Sequence, residues 1–495
     1  MSDTADIAIV GGGAAGCVLA RRLSDRGDRS VLLLEAGPDL GNVPDPYRDG
    51  WLNPAGAAWT TDWGFESEPD SSGATSKLRR GKLLGGTSWL TRFAVRGHPA
   101  DFEAWAGRGN PGWRFAEVLP SFRRLESDAD FGDRPWHGRA GPMAINRYRD
   151  LPRSAIHDAA IEALADLGFP SIEDHNEPGA VGLGRMPMST RDGRRITTYQ
   201  AYLGDGRPKG LTIRTEAQVD RVLVDGQRAT GVRLVDGTEI AAGTVLLCAG
   251  TYGSPPILLR SGIGPAADLH ALGIDVVVDL PGVGRNLADH PGVDLDSGWR
   301  DEAPSDAPLH TIATFRSATQ PEDGAPDMMF WLVDPAGAGG SFSLDPVLMK
   351  PESRGSVRLR SADPSAAPRI TLPGVTAERD IDRLMDGYRV GLELANHSAV
   401  RRLASEPAPP PPASTAELRR RVLDGAYSNP HVVGTSRMGP SPAEGDVVDA
   451  SARVHGVGGL RVVDASIIPE APSGFPHLVT IMLAEHLADA ILATG

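Results

Sequence analysis

Cysteine is almost absent: the 495 residues contain two, Cys17 and Cys248. Neither stands at metal-ligand spacing, which excludes a zinc ribbon or a disulfide-stapled scaffold and points to buried small residues in a reducing compartment. Long apolar runs are also missing. No uninterrupted stretch approaches the ~20 residues that a membrane-crossing helix needs, and an apolar strand-like run begins at Asp6, leaving no room for a secretory leader. The expectation is a cytoplasmic protein with no membrane span. Positive charge is in deficit, with 50 Lys and Arg against 64 Asp and Glu and a formal charge of −14. No basic run or basic–aromatic stripe offsets this, so nucleic acid is not an expected partner. No His/Asp/Glu cluster has convincing ligand spacing, and no metal is expected.

Glycine and proline are plentiful, at 59 and 41 residues. They are spread along the chain, as turns and close backbone approaches require, except in "SEPAPPPPAS" (405–414), which reads as an exposed polyproline connector. A chain of this length exceeds one ordinary core, so two intimately linked domains are expected.

The first forty residues are the most informative. "DIAIV" (6–10) is a short strand, "GGGAAG" (11–16) follows at once, and "CVLARRLSDRG" has apolar positions at helical spacing. "SVLLLEAG" (30–37) is a second strand ending in Glu35, 19 residues after the last glycine. Strand, Gly loop, helix, strand and acid together form a dinucleotide-binding fingerprint. Gly11 permits the tight turn, Gly13 lets a pyrophosphate approach the backbone, and Gly16 lets helix and strand pack closely. The N–H groups of Ala14 and Ala15 open the helix towards the phosphates. Glu35, followed by Ala36, can accept hydrogen bonds from an adenosine ribose. This fingerprint does not separate FAD from NAD.

Later stretches add to it: "RRGKLLGGTSWLTRFAVRGHPADFEAW" (79–105), "GTVLLCAGTYGSPPILLRSGIG" (243–264), "KPESRGSVRLRSADP" (350–364), and "NPHVVGTSRMG" (429–439) through "GLRVVDASIIPEAPSGFPHLVTIMLAEHLADAI". In this order they closely resemble the glucose–methanol–choline (GMC) family of FAD-dependent oxidoreductases, from residue 6 to the C-terminus and least across 290–345 and 365–425. The resemblance implies an α/β fold with α+β insertions: a Rossmann-like FAD-binding domain interleaved with a substrate domain built on an antiparallel sheet. The FAD domain would comprise 1–45, 75–105, 205–290 and 440–495, and the substrate or cap domain 46–74, 106–204 and 291–439. Residues 211–250 alternate like a β-meander with Asp-Gly turns.

By the family's pattern, Gly85, Gly86, Thr87 and Ser88 wrap the pyrophosphate and flavin edge, and Thr91 stands where many members carry Asn or His. Val219 resembles the position whose backbone meets adenine, and Ala249 and Gly250 close the strand before the second motif. Asp464 resembles the strand-end acid near the pyrophosphate, with Ala465 presenting a backbone N–H. Members that attach FAD covalently use a histidine where this chain has Leu90, so FAD is expected to be non-covalent.

His431 opens a stretch resembling the family's His-Pro-Val-Gly-Thr motif, with Val432 in place of proline, and is the implied acid/base. An imidazole of near-neutral pKa can take a hydroxyl proton while hydride moves from the carbinol carbon to flavin N5. A second polar residue, His or Asn, usually follows about 44 residues later. Here that count reaches Phe475, which cannot donate, accept or ionise. Either Phe475 forms an apolar wall, or a backbone shift at Pro476 brings His477 into the vacant role. By the family's pattern His477 and Leu478 are favoured as flavin-side support in a loop preceding a helix. His98, His137, His175, His290 and His310 carry no comparable signal. Trp51, Trp59, Trp63, Phe330 and Trp331 are candidates for an aromatic cavity, and "DEAPSDAPLH" (301–310) for an entrance loop.

The expected activity is oxidation of a primary or secondary alcohol to a carbonyl, with O2 or an electron carrier such as a quinone as final acceptor. Loss of the second polar residue keeps a redox-silent alternative open, such as a cyanohydrin lyase or a light-driven decarboxylase.

Overall fold

A computed structural model describes residues 4–41, 61–70, 73–204, 206–298, 311–333 and 341–493. Trp51, Trp59, His310 and the 301–310 segment lie outside them.

Two seven-stranded sheets organise the chain. The first has the spatial order Leu211–Arg214, Val31–Leu34, Thr4–Val10, Glu239–Leu247, Arg228–Leu234, Val219–Asp225, with Leu460–Val462 paired beside Glu239–Leu247. The strands 211–214, 31–34, 4–10, 239–247 and 460–462 run parallel. Their continuous apolar runs follow from burial on both faces: Val31 to Leu34 are all buried. Glu239–Leu247 divides one edge between two partners. Its start pairs antiparallel with Arg228–Leu234, and its end, Val245 to Leu247, pairs parallel with Leu460 to Val462.

The meander is shorter than the alternation of 211–250 suggests. Leu211–Arg214 is the far edge strand, parallel to Val31–Leu34, and only 219–247 forms the antiparallel hairpins. Between them the chain crosses the ends of the parallel strands, where Glu216 has a φ of +54°. Ala217 N–H donates to the Glu35 carbonyl at 2.8 Å there.

The second sheet is antiparallel, in the order Ala426–Val433, Ala288–Val293, Ser341–Leu348, Met328–Val333, Thr311–Phe315, Leu183–Arg185, with Asp296–Gly298 also paired to Ser341–Leu348. The helix Glu378–Asn396 packs on it and covers a core that includes Phe330, Leu344 and Leu384. The N-terminal helix Ala14–Ser24 packs instead against the C-terminal helix Pro476–Ala493. Among the described residues, Pro476–Ala493 is the one helix long and apolar enough to cross a membrane, and it lies mostly inside the fold. The edge strand Ala426–Val433 carries His431 from the second sheet towards the strand ends of the first.

Candidate active site

Where the parallel strands end, a cavity of about 510 Å³ opens. Val10, Glu35, Ala217, Cys248 and Asp464 line it, each at or just past the C-terminal end of a parallel strand. Open α/β sheets bind their ligands at this edge.

The glycines of the first loop divide their roles by geometry. Gly11 has a φ of +101°, and a Cβ there would lie 2.6 Å from the Cys248 carbonyl oxygen. At Gly16 a Cβ would lie 1.9 Å from the carbonyl oxygen of Gly11, so strand and helix touch backbone to backbone. At Gly13 a Cβ would meet no protein atom within 4 Å. That open face, with Ala14 and Ala15 beside it along the cavity, fits a pyrophosphate approaching the N–H groups of the helix start.

Glu35 is buried. Its carboxylate accepts from Gly12 N–H at 2.8 Å and from Gly37 N–H at 2.9 Å. Burial raises its pKa to about 7 against those bonds. Ala36 and Val219 line the same end. Gly86 crosses over the loop so closely that a Cβ would sit 2.9 Å from the Gly13 Cα, and Gly85 N–H donates to the Gly12 carbonyl at 2.7 Å. Thr87 and Thr91 line the cavity. Ser88 is turned inward, donating to the Gly85 carbonyl at 2.6 Å and accepting from Thr198 N–H. Ala249, Gly250, Asp464 and Ala465 form the floor. Asp464 accepts from Gly250 N–H, Ser254 Oγ and Ser466 N–H, so its carboxylate holds the floor together.

At the other end stands His431. Its half-buried ring lines the cavity. Burial first, then the neighbouring His290 and the Arg80 charge, hold its pKa well below the ordinary value, so the imidazole is neutral. Asp289 places its backbone: one carboxylate accepts from His431 N–H and His290 N–H, both at 2.8 Å, and from the Ser428 hydroxyl. Phe475 meets the His431 ring edge-on at 5.1 Å between centroids. Trp331 lies 5.8 Å from His431, and Phe93 lies 4.9 Å from Phe475 and 5.5 Å from Trp331. The His431 ring is therefore packed against an aromatic cluster.

His477 occupies the second position of the helix Pro476–Ala493, inside the helix and not in a loop before it. It lines the cavity, its Nε2 has no hydrogen-bond partner among the described residues, and burial, then the Arg195 charge, lower its pKa to about 4. Leu478 is core. A buried anchor sets this register. Asp101 accepts from the Ser473 N–H and hydroxyl, at 2.8 and 2.6 Å, and Lys350 bridges Asp101 to the Ala471 carbonyl.

With the site in view, comparison with known proteins is decisive. Residues 5–292 and 351–484 match the two parts of the GMC oxidoreductase family. The chain belongs to the GMC oxidoreductases. Over 99 % of both chains it is 36 % identical to a 5-(hydroxymethyl)furfural oxidase of Methylovorus sp. (strain MP688). Pyridoxine 4-oxidase from Mesorbium loti superposes with a TM-score of 0.92 at 33 % identity over 99 % of each chain. An FAD-dependent oxidoreductase from Chaetomium thermophilum superposes at 0.88, with 25 % identity and the same coverage. This GMC oxidoreductase is an enzyme acting on CH–OH donors, with FAD as its cofactor. Leu90, which closes the short turn after Gly86–Trp89, offers no nucleophile to attach it.

Several site residues carry no motif of their own. Asp289 and Phe93 are reached only through the fold, because the residues they meet are distant in sequence. Trp63 lines the cavity while Phe330 is buried in the second core. His98 caps the helix Pro99–Gly107. Glu126, Asp128 and His137 are close enough to share a cation, but Arg96 binds Glu126, and Arg147 bridges Asp128 and Asp174. Arginine already supplies the positive charge there.

Proposed function

We propose that this GMC oxidoreductase oxidises a flat, ring-bearing primary alcohol to its aldehyde, with His431 as general base. The observation that carries this reading is the His431 imidazole set into the cavity wall and packed against the aromatic rings of Phe475 and Trp331. Aromatic rings favour offset or edge contacts with another planar π-system. Two relatives support the substrate class, since their names specify a hydroxymethylfurfural and pyridoxine, both ring-bearing alcohols.

When bound, FAD supplies hydride acceptance, with O2 or an electron carrier such as a quinone as the final oxidant. His431 draws the hydroxyl proton onto its free ring nitrogen, and the alcohol carbon gives up hydride more readily as that proton leaves. Asp289 fixes the His431 backbone through its N–H. Phe475, buried edge-on against the His431 ring, shields that side of the base from water. His477 is assigned to the cofactor: it stands in the first helical turn, where the partial positive charge of the helix end favours an anionic reduced flavin.

Anaerobic mixing with a panel of alcohols, followed by the bleaching of the flavin's visible band, tests this. Benzylic and hydroxymethylfuran alcohols are expected to bleach it faster than small aliphatic ones. His431→Ala should retain FAD and slow bleaching by about 10²–10⁴-fold, the scale of a lost general base. Equal rates in the variant and the parent would remove His431 from the chemistry. Bleaching by no alcohol, with lyase turnover, would favour a redox-silent enzyme.

A further inference from the structure

His431 has a second neighbour that neither the motif nor the established activity explains. His290 lies in the strand Ala288–Val293, paired to the strand that carries His431. It is fully buried, and its Nδ1 stands 3.4 Å from Nδ1 of His431. The two rings meet near edge-to-face at 5.3 Å between centroids. Two ring nitrogens facing each other share one proton, so one imidazole must donate and the other accept.

The chemistry asked of His431 decides which. Nε2 of His290 meets no hydrogen-bond partner among the described residues, so its own surroundings impose no tautomer. A base needs a lone pair on its cavity-side nitrogen, which puts the shared proton on Nδ1 of His431 and leaves a lone pair on Nδ1 of His290. The charged groups nearby do not supply a competing proton. Asp289 spends its oxygens on the two backbone N–H groups and Ser428. Lys350 is held by Asp101 and the Ala471 carbonyl. Arg80 is turned to the Pro430 carbonyl and the Tyr252 ring.

We infer that His290 is the positioning residue for the base: its Nδ1 lone pair accepts the Nδ1–H of His431, which leaves Nε2 of His431 as the lone pair that meets the alcohol. The opposite arrangement would put a proton on Nε2 of His431 and remove its basicity at the cavity. As the alcohol O–H breaks, the proton forms the new Nε2–H of His431, and the C–H hydrogen leaves as hydride with its electron pair to FAD. The resulting imidazolium carries its other N–H already bonded to His290. A neutral acceptor suits this site, because it orders the His431 proton without the upward pKa shift that a carboxylate in its place would add. The inference rests on His431 being the base.

Two substitutions of similar size and polarity separate this role from simple packing. In His290→Asn the amide oxygen can take the place of Nδ1, whereas in His290→Gln the amide reaches the place of Nε2 and leaves the Nδ1 position vacant. Both are compared as holoenzymes at matched FAD content, reading the flavin-reduction rate constant at saturating aromatic alcohol and, separately, the apparent Kd of the alcohol. His290→Gln is expected to slow reduction by about 10–100-fold, the scale on which a lost outer partner acts on a metal-bound imidazole, with the Kd little changed. His290→Asn should recover most of that loss, and on a His431→Ala background the two should reduce alike. Equal rates for Asn and Gln in the presence of His431, or a faster Gln variant, would overturn the assignment. A His431→Ala enzyme that reduces as fast as the parent would instead overturn the underlying reading, whatever the His290 variants show.

Discussion

Alanine at Gly13 and alanine at Gly16 should fail for opposite reasons, although the two glycines stand three residues apart. Gly13 has ordinary extended backbone, φ −82° and ψ −156°, and a Cβ there touches no protein atom within 4 Å. In the apoprotein, the smaller unfolded-state entropy of alanine favours Gly13→Ala by about 0.4–1 kcal/mol, and the poorer helix cap of alanine offsets about as much. The apo melting temperature should therefore barely move. FAD binding is where the substitution acts, because the new methyl stands where the pyrophosphate approaches the backbone. At a free FAD concentration 100 times Kd the cofactor stabilises the parent by about 2.7 kcal/mol, and a 100-fold weaker Kd reduces this to about 0.4 kcal/mol. Gly16→Ala instead drives a Cβ to 1.9 Å from the Gly11 carbonyl oxygen and 3.5 Å from Cys248 Cβ. Both neighbours directly follow the parallel sheet's central strands, so relaxation is limited and overpacking costs about 1–3 kcal/mol without any cofactor. Thermal melts of each protein, stripped of FAD and then titrated with it, separate the two. A Gly13→Ala protein with a full FAD-dependent shift would refute the cradle, and a Gly16→Ala apoprotein melting like the parent would refute the packing role.

Other consequences are open to direct measurement. His477→Ala should weaken FAD binding or shift the flavin potential while alcohols still bleach the flavin; a rate loss equal to that of His431→Ala would move His477 into the chemistry. Phe475→Leu should lower the kcat/KM ratio of benzylic to small aliphatic alcohols by roughly 10-fold, the scale of one lost apolar pocket contact, and an unchanged ratio would detach Phe475 from substrate selection. Denaturing the holoenzyme should release all FAD into solution, and flavin remaining with the precipitated chain would show a covalent link that Leu90 cannot make. Asp345 is buried beside Asp296 and Asp294, and burial first raises its pKa to about 7 from an unfolded value near 4. Its contribution to stability is complete below about pH 4 and is lost as pH rises through 7. The melting temperature of Asp345→Asn relative to the parent should therefore climb between pH 5 and pH 8, and a flat difference would contradict the raised pKa.

The parts of this enzyme visible in its sequence are those in which neighbours in space are neighbours in the chain. The strand, Gly loop and helix at 4–24 are contiguous, and the requirements for a tight turn, an open face and a close contact fall on three glycines within six residues. The strand 211–214 was not distinguishable from the meander, because alternation reports one buried face and says nothing of which strand lies alongside. Asp289 makes the same point at the site. Its partners His431 and Ser428 are about 140 residues away, and an aspartate before a histidine has no signature of that pairing. Phe93 joins Trp331 and Phe475 from three separate segments for the same reason. The position of Phe475 was legible by counting from His431, but its consequence required the aromatic neighbours to be in place.

The register of the last loop explains how the second polar position came to be apolar without loss of the fold. Asp101 and Lys350 grip residues 471 and 473 from below, and Phe475 N–H is tied to the Val95 carbonyl at 3.2 Å. Sliding the chain by two residues to bring His477 opposite His431 would break these bonds and take both Ser473 donors from Asp101, which is fully buried. Losing two donors to a buried carboxylate costs more than a single catalytic hydrogen bond returns. His477 thereby stays at the helix start, and Phe475 and Trp331 remain packed against the His431 ring. Polar support for His431 then comes from behind, through Asp289 on its backbone and His290 on its ring. A base with polar partners on its backbone and ring, and aromatic rings packed against it, suits an alcohol whose ring, and not a second hydrogen bond, fixes its orientation.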